Sequence, residues 1–235
     1  MKRNIIFLIV GCFIIELSFY SYAAQWQDVN FSRPVYLYAG SIPKGIRRSL
    51  FKCYIGLALD KRDKLDIYHD IRNPLPLPDN CVDRYQAEDV FEHIEYEELV
   101  SVLDEIYRVL KPGGLFRLSV PDYRCDILYN RSLKDSLGNI LFDPEGKGRY
   151  ENGKVVGGGH VWFPTIESVC KLFEASKFFS RSIIHYLHYY DTNGKSITGR
   201  IDYSKGHIQR TPDHDKRVRN PYRAMSIVVD AYKKE

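Results

Sequence analysis

Apolar residues recur every three or four positions between residues 99 and 110, which is the spacing of one face of an α-helix. They are Leu99, Val102, Leu103, Ile106, Val109 and Leu110. Arg108 and Lys111 lie at the end of this segment and acidic residues crowd its start, an order that opposes the helix dipole. Pro112 disfavours helical geometry at Lys111, and Gly113 with Gly114 permits the left-handed conformation that closes helices. The pattern predicts a helix that ends near Lys111.

Short apolar runs predict β-strands on both sides of this helix. LFRLSV at 115–120 is typical of a buried strand, and Pro121 ends it because proline has no N–H to donate. Further strands are predicted at 35–39, 54–59, 67–70, 82–87, 183–190 and 226–232. Helices are expected at 46–52 and 165–175. Strands and helices alternate early in the chain, which favours an α/β fold.

The chain is expected to form one domain, residues 34–235, with an insertion at about 123–160. The insertion is rich in Gly, Pro, Lys and Asp and has no sustained periodicity, which predicts a long irregular loop. Loops of that length in a compact domain are usually functional covers or disordered segments.

Residues 1–24 form a separate apolar segment. Lys2 and Arg3 precede an apolar run, and small residues follow at 21–23, as in a secretory signal. Residues 5–24 are also long enough to span a bilayer. A cleaved signal, a membrane anchor, a lipoprotein signal and an extended start of translation remain open as interpretations.

Composition and charge exclude few functions. The 235 residues are 44% hydrophobic and 27% charged, which is ordinary for one domain with a full core. The net charge is +4 and the charges alternate in sign, so no nucleic-acid partner is expected. The five cysteines show neither a CxxC pair nor zinc-ligand spacing, and the histidines and aspartates at 207–215 match no familiar metal site. The sequence therefore predicts unpaired thiols and no metal.

The chain resembles the class I S-adenosylmethionine-dependent methyltransferases, most closely their small-molecule methyltransferase-like domains. The resemblance covers roughly residues 34–190 and rests on the strings HDIRNPLPLPDNCVD, AEDVFEHI, LDEIYRVLKPGG and LFRLSVPD. It implies a Rossmann-like, doubly wound, mainly parallel sheet with a late antiparallel strand, in a three-layer αβα arrangement. It also implies that S-adenosylmethionine is the cofactor and lies over the carboxyl ends of the early strands.

The positions that match the family's motifs imply a set of cofactor contacts. They are Ala39, Gly40, Ser41, Asp60, Asp70, Ile71 and Glu88. Asp60 stands where the family's acidic residue takes the ribose hydroxyls, and Asp70 with Ile71 stands where the adenine is contacted. The glycine loop is degenerate: in YAGSIPKG, Gly40 is followed by no second glycine until Gly45. Side chains between them would crowd a backbone that must approach the cofactor.

Three residues are candidate bases for an acceptor that must lose a proton: Glu88, His93 and His160. Glu88 follows the fourth strand, and His160 follows three glycines that would let a lid fold over the acceptor. Each also has a structural interpretation. Glu88 with Asp89 and Glu92 would be a solvated acidic face, His93 a packed neutral imidazole, and His160 the tip of a flexible hairpin.

The expected function is methyl transfer from S-adenosylmethionine to a small-molecule acceptor. The alternative is a non-catalytic methyltransferase-like binding or scaffold domain that has lost the cofactor, which the degenerate loop and the signal-like start favour. A cytoplasmic location is expected because the cofactor is made there; membrane contact, anchoring or export would involve only residues 5–24. The sequence does not indicate an oligomeric state or identify the acceptor.

Overall fold

The computed structural model describes residues 24–42, 53–60 and 66–235. Their strands are β1 (Tyr36–Ala39), β2 (Tyr54–Ala58), β3 (Asp66–Tyr68), β4 (Val82–Glu88), β5 (Leu110–Pro121), β6 (Leu133–Lys134), β7 (Ile140–Phe142), β8 (Arg149–Glu151), β9 (Lys154–Val156), β10 (Ser182–Tyr190), β11 (Ser196–Thr198) and β12 (Ser226–Lys233). The α-helices in the same residues are α1 (Leu99–Val109), α2 (Asp126–Arg131) and α3 (Ile166–Ala175). The helix predicted at 46–52 and the apolar segment up to residue 23 lie outside the described residues. None of the described helices has the length and hydropathy needed to cross a membrane.

Eight strands form one sheet in the order β11-β10-β12-β5-β4-β1-β2-β3. Strands β1 to β5 pair in parallel wherever they are neighbours. Strand β12 is antiparallel to both β5 and β10, and β11 is antiparallel to β10. A mainly parallel sheet with late antiparallel strands confirms the predicted fold class.

Helices α1 and α3 cover one face of the sheet. Their apolar residues join a core cluster that contains Phe116 of β5, which is fully buried. The ring of Phe116 packs against the rings of Tyr85, Phe91, Phe173 and Phe178. The predicted helix is confirmed, but it ends at Val109 and β5 begins at once. A register shift against β4 accommodates the Lys-Pro-Gly-Gly turn within that strand.

Polar side chains occupy the opposite face of the central strands. Arg84 and Gln86 on β4 donate hydrogen bonds to the carbonyls of Ser204 and His207. Buried Arg117 on β5 donates to both carboxylate oxygens of Asp230 on β12 at 2.7 Å. The segment that covers this face, residues 199–218, contains two single 3-10 turns and no α-helix. Hydrogen bonds from side chains to its backbone hold it on the sheet.

The insertion at 123–160 is ordered, so the prediction of an irregular loop was wrong. It contains α2, the β6–β7 hairpin and the β8–β9 hairpin. Asn152 and Gly153 form the turn of the second hairpin with φ of 51° and 79°. An Asn-Gly pair is the preferred sequence for such a two-residue turn, so this hairpin had a readable signal.

Candidate functional site

The carboxyl ends of the parallel strands meet along one edge of the sheet. Ala39, the last residue of β1, is level with Leu57 on β2 and with Ala87 on β4. Glu88, the last residue of β4, is level with Ser119 on β5. The residues that follow these strands therefore project from the same edge, where open α/β sheets bind their ligands.

The first loop at this edge requires its glycine for conformational reasons. Gly40 has φ of +91° and its N–H donates to the carbonyl of Leu57 at 2.7 Å. The hydroxyl of Ser41 donates to Asp66 at 2.6 Å. Ile42 is buried against Tyr38 and Tyr54. The remainder of this loop, including Pro43 and Gly45, lies outside the described residues.

The candidate residues after β2 and β3 differ in their surroundings. Asp60 is exposed two residues beyond the end of β2. Asp70 accepts hydrogen bonds from the side chain of Arg72, which hold the pKa of Asp70 below its usual value. Asp70 also accepts from the backbone N–H of Arg72, as turn-capping aspartates do. Ile71 packs into the main core.

Glu88 and Asp89, at the carboxyl end of β4, contact the segment 199–218. The backbone N–H of Gln209 donates to Glu88 at 2.6 Å. Arg210 Nε lies 3.0 Å from a carboxylate oxygen of Asp89, which has the left-handed φ of 54° that is unusual for a non-glycine residue. Asp89 Oδ1 and Arg210 Nη1 are buried and have no hydrogen-bond partner among the described residues. Among the described residues, this edge of the sheet therefore has one hydrogen-bond acceptor atom and one donor atom left for a ligand.

Burial is the main cause of the shifted pKa values here. Burial and the nearby Asp89 carboxylate raise the pKa of Glu88 to about 8. Burial also raises the pKa of Asp89, against the opposing charge of Arg210. Glu92 is fully buried, and its pKa is raised by burial and then by Asp89. Glu92 is thus not part of a solvated acidic face.

A second group of polar residues joins the end of β4 to the insertion. The rings of His93 and His160 lie 4.7 Å apart, and His160 Nε2 lies 3.7 Å from Glu92 Oε1. The hydroxyl of Tyr123 contacts His160 Nδ1 and donates to Asp143 at 2.8 Å. The structure thus brings the candidates His93 and His160 together, and His160 is buried rather than at a flexible tip.

Two further hydrogen bonds join the residues just after His160 to the backbone of Phe91 and Glu92. The N–H of Val161 donates to the carbonyl of Glu92 at 2.8 Å, and the indole of Trp162 donates to the carbonyl of Phe91 at 2.9 Å. Burial lowers the pKa of His160 to about 3, so this imidazole is neutral at pH 7. Burial also lowers the pKa of His93. Burial would raise the pKa of Asp143, but hydrogen bonds from Arg131 and Tyr123 outweigh it and leave that pKa lowered.

An open cleft of about 950 Å³ lies beside Tyr123. Its walls come from α2, the turn before β7, the segment before α3 and the turn after β10. The aromatic side chains in its lining are Tyr123, Tyr129, Trp162 and Phe163. Its polar and charged side chains are Arg124, Asp126, Asn130, Asn139, Thr165, Thr192 and Asn193. Such a combination of aromatic walls and polar groups is typical of small-molecule sites.

Sequence reasoning missed several residues of this site. Arg210, Tyr123 and Asp143 lie far along the chain from the residues they contact, and nothing local marks them as partners. The sequence showed Glu92 as one of several acidic residues, but it did not predict that Glu92 is buried.

Comparison with known families identifies one domain. Residues 57–118 match a family described as "Methyltransferase domain". The match runs from β2 into β5 and includes the carboxyl end of β4. No curated protein matches the chain.

The chain is similar to several solved structures, among them the following three. A SAM-dependent methyltransferase from Archaeoglobus fulgidus is 15% identical, with a TM-score of 0.49 over 86% of this chain and 88% of that one. An S-adenosylmethionine-dependent methyltransferase from Mesorhizobium loti is 14% identical, with a TM-score of 0.48 over 85% and 90%. A Haemonchus contortus phosphoethanolamine N-methyltransferase, solved with S-adenosylhomocysteine, is 14% identical, with a TM-score of 0.45 over 86% and 49%.

Proposed function

We propose that the chain transfers the methyl group of S-adenosylmethionine to a small-molecule acceptor, because residues 57–118 match a family described as a methyltransferase domain. The matched residues run from β2 into β5 and include the carboxyl end of β4, where open α/β sheets bind their ligands; this match is the observation that carries the proposal. The cofactor supplies an activated methyl group when bound, and the protein orients donor and acceptor.

The residues at the sheet edge fit such a cofactor. The left-handed Gly40, flanked by Ala39 and Ser41, would lie against its methionine part. The unused polar atoms of Asp89 and Arg210 supply an acceptor and a donor for its polar groups. Asp60 would take the ribose, and Asp70 with Ile71 would contact the adenine. Glu88 would border the methyl group.

The cleft beside Tyr123 is the proposed acceptor site. Its charged lining groups are already paired, Arg124 with Glu167 and Asp126 with Arg223. Aromatic walls with neutral polar groups therefore favour an uncharged polar acceptor of small size. Where the acceptor must lose a proton, Glu88, His93 and His160 are the candidate bases. We infer a cytoplasmic location from the cofactor's supply.

Calorimetric titration with S-adenosylmethionine and with S-adenosylhomocysteine tests the proposal. Both ligands should bind the intact chain, and Asp60→Ala should weaken both by about tenfold or more because a charge-assisted hydrogen bond is lost. Glu174→Gln, which changes an exposed carboxylate on α3, should leave both affinities unchanged.

Absence of binding to the intact chain at millimolar ligand would instead support the non-catalytic scaffold. Equal weakening by Asp60→Ala and Glu174→Gln would remove Asp60 from the proposed cofactor contacts.

A further inference from the structure

Glu92, His93 and His160 converge where the insertion meets the end of β4. One ligand-type atom from each residue lies within 4.8 Å of the corresponding atoms of the other two. Residues 158–162, at the end of the insertion and just beyond it, fold back onto Phe91, Glu92 and His93 through three separate hydrogen-bonded contacts. These contacts hold residues 91–93 and residues 158–162 against each other, which positions the cluster.

The hydrogen bonds of His93 determine which of its nitrogens is free. His93 Nδ1 lies 3.0 Å from the carbonyl of Gly158 and 3.1 Å from that of Gly159. Carbonyl oxygens only accept, so Nδ1 carries the proton. In the neutral ring, Nε2 then keeps a lone pair.

The same assignment follows for His160. The Tyr123 hydroxyl donates its single proton to Asp143, whose carboxylate also accepts from Arg131 at 2.5 Å. His160 Nδ1 must then donate to the hydroxyl oxygen of Tyr123. His160 Nε2 keeps its lone pair and is the atom that lies 3.7 Å from Glu92 Oε1. Metal-bound histidines are commonly held in this way, with the second ring nitrogen donating to an outer acceptor.

Glu92 supplies the observation that points to a missing cation. Its side chain is fully buried, and neither carboxylate oxygen has a hydrogen-bond partner among the described residues. At 3.7 Å, its contact with His160 Nε2 is too long for a hydrogen bond. A buried carboxylate without partners is costly, and coordination of a metal ion is one of the arrangements that offsets the cost.

We propose that Glu92, His93 and His160 bind one divalent transition-metal ion, with Zn²⁺ as the expected occupant. Ligand atoms around tetrahedral zinc are roughly 3.4 Å apart, so the 3.7 Å separation of Glu92 Oε1 and His160 Nε2 needs a small contraction, and separations up to the 4.8 Å limit of the cluster need a larger one. Two imidazoles and one carboxylate form a ligand set that zinc accepts, and a fourth position stays open to water or substrate. With the ion bound, His93 and His160 are ligands, which leaves Glu88 as the base for methyl transfer.

Metal titration of the intact, tag-free chain tests the site without cofactor. After removal of metal with a chelator, the protein should bind one equivalent of Zn²⁺ by calorimetry, and Co²⁺ should give the visible absorption of a tetrahedral site. Glu92→Gln, His93→Ala and His160→Ala should each abolish stoichiometric binding. Tyr123→Phe removes the oxygen contact that orients His160 and should weaken binding by about 10–100-fold. His185→Ala, which removes an exposed histidine on β10, should bind as the intact chain does.

Failure of the intact chain to bind one equivalent would overturn the proposal, and so would binding that survives the His93→Ala and His160→Ala substitutions. Far-UV circular dichroism shows whether each variant is folded. If a variant is not folded, the binding of one equivalent of Zn²⁺ by the intact chain still decides the proposal. Because no S-adenosylmethionine is present, loss of this site and loss of the proposed transferase function are distinguished.

Discussion

At the scale of single residues, three acidic side chains near the end of β4 have three different surroundings. Glu88 accepts a backbone hydrogen bond from Gln209, and Asp89 pairs with Arg210. Glu92 has no hydrogen-bond partner among the described residues. Their chemical behaviour is therefore set by local burial and partners and not by residue type.

Glu88 should make cofactor binding depend on pH. Its pKa of about 8 means that the folded protein holds a proton there at neutral pH. A sulfonium beside it favours the carboxylate, so binding of S-adenosylmethionine must release that proton. We expect its affinity to rise as pH increases from about 6 to 8, by at most roughly tenfold per pH unit, and then to level off. Calorimetry at several pH values measures this.

Two controls separate Glu88 from other titrating groups, including Asp89 and Arg210, which face it. Glu88→Gln should remove this part of the pH dependence. S-adenosylhomocysteine, whose sulfur is uncharged, should show little of it with the unaltered protein. The same steep dependence in both controls would show that another group titrates.

At the scale of elements, a buried ion pair ties three parts of the chain together. Arg117 of β5 and Asp230 of β12 are almost fully buried. Arg117 also donates to the carbonyls of Asp202 and Gly206, in the segment that covers the sheet. The pair therefore fixes both the antiparallel strand and its cover.

Asp230→Ala should leave an uncompensated buried guanidinium. We expect the free energy of unfolding to fall by about 3–5 kcal/mol, measured by urea denaturation. Glu151→Ala breaks the exposed pair with Arg149 and should cost about 0–1 kcal/mol. Equal small losses in the two variants would contradict the structural role given to Asp230.

At the scale of the whole molecule, one apolar core attaches α1 and α3 to the sheet. Phe116 lies in this core and contacts rings from β4, from the turn after it, from α3 and from the segment that follows α3. Packing around Phe116 therefore holds α3 against β4 and β5.

Phe116→Ala should reduce the free energy of unfolding by about 3–5 kcal/mol through lost burial and an unfilled cavity. Urea denaturation measures the change. Leu137→Ala, at a side chain that is 85% exposed in the β6–β7 turn, should stay within about 0.5 kcal/mol of the unaltered protein. A loss at Phe116 no larger than that at Leu137 would show that this core does not limit stability.

Local patterns were sufficient for much of the architecture. The periodicity from Leu99 to Val109 predicted α1, and apolar runs predicted β1 to β4 within about two residues of their observed bounds. Strand β5 begins at Leu110, five residues before the predicted start, because the Lys-Pro-Gly-Gly segment lies within the strand. The insertion was mispredicted because its strands are only two or three residues long and carry no clear alternation. Its Asn-Gly turn was the one strong local signal.

The candidate site was predictable only in part. His93 and His160 were each identifiable by residue type, and His160 also by the three glycines before it, but their proximity was not. The unpartnered burial of Glu92 and the pairing of Asp89 with Arg210 had no sequence signal. Whether the predicted cofactor contacts and bases act as proposed stays a prediction.

The sequence by itself determined where α1, α3 and most strands of the large sheet lie, because hydrophobic spacing and helix-ending residues act over a few neighbouring positions. Only the tertiary structure decided which polar groups meet. Glu92 and His160, like Asp89 and Arg210, lie far apart in the chain and are brought together by the folding of the insertion and the late segment onto the sheet edge. The burial of Asp89, Glu92 and His160 follows from that packing, and burial is the main cause of their shifted pKa values.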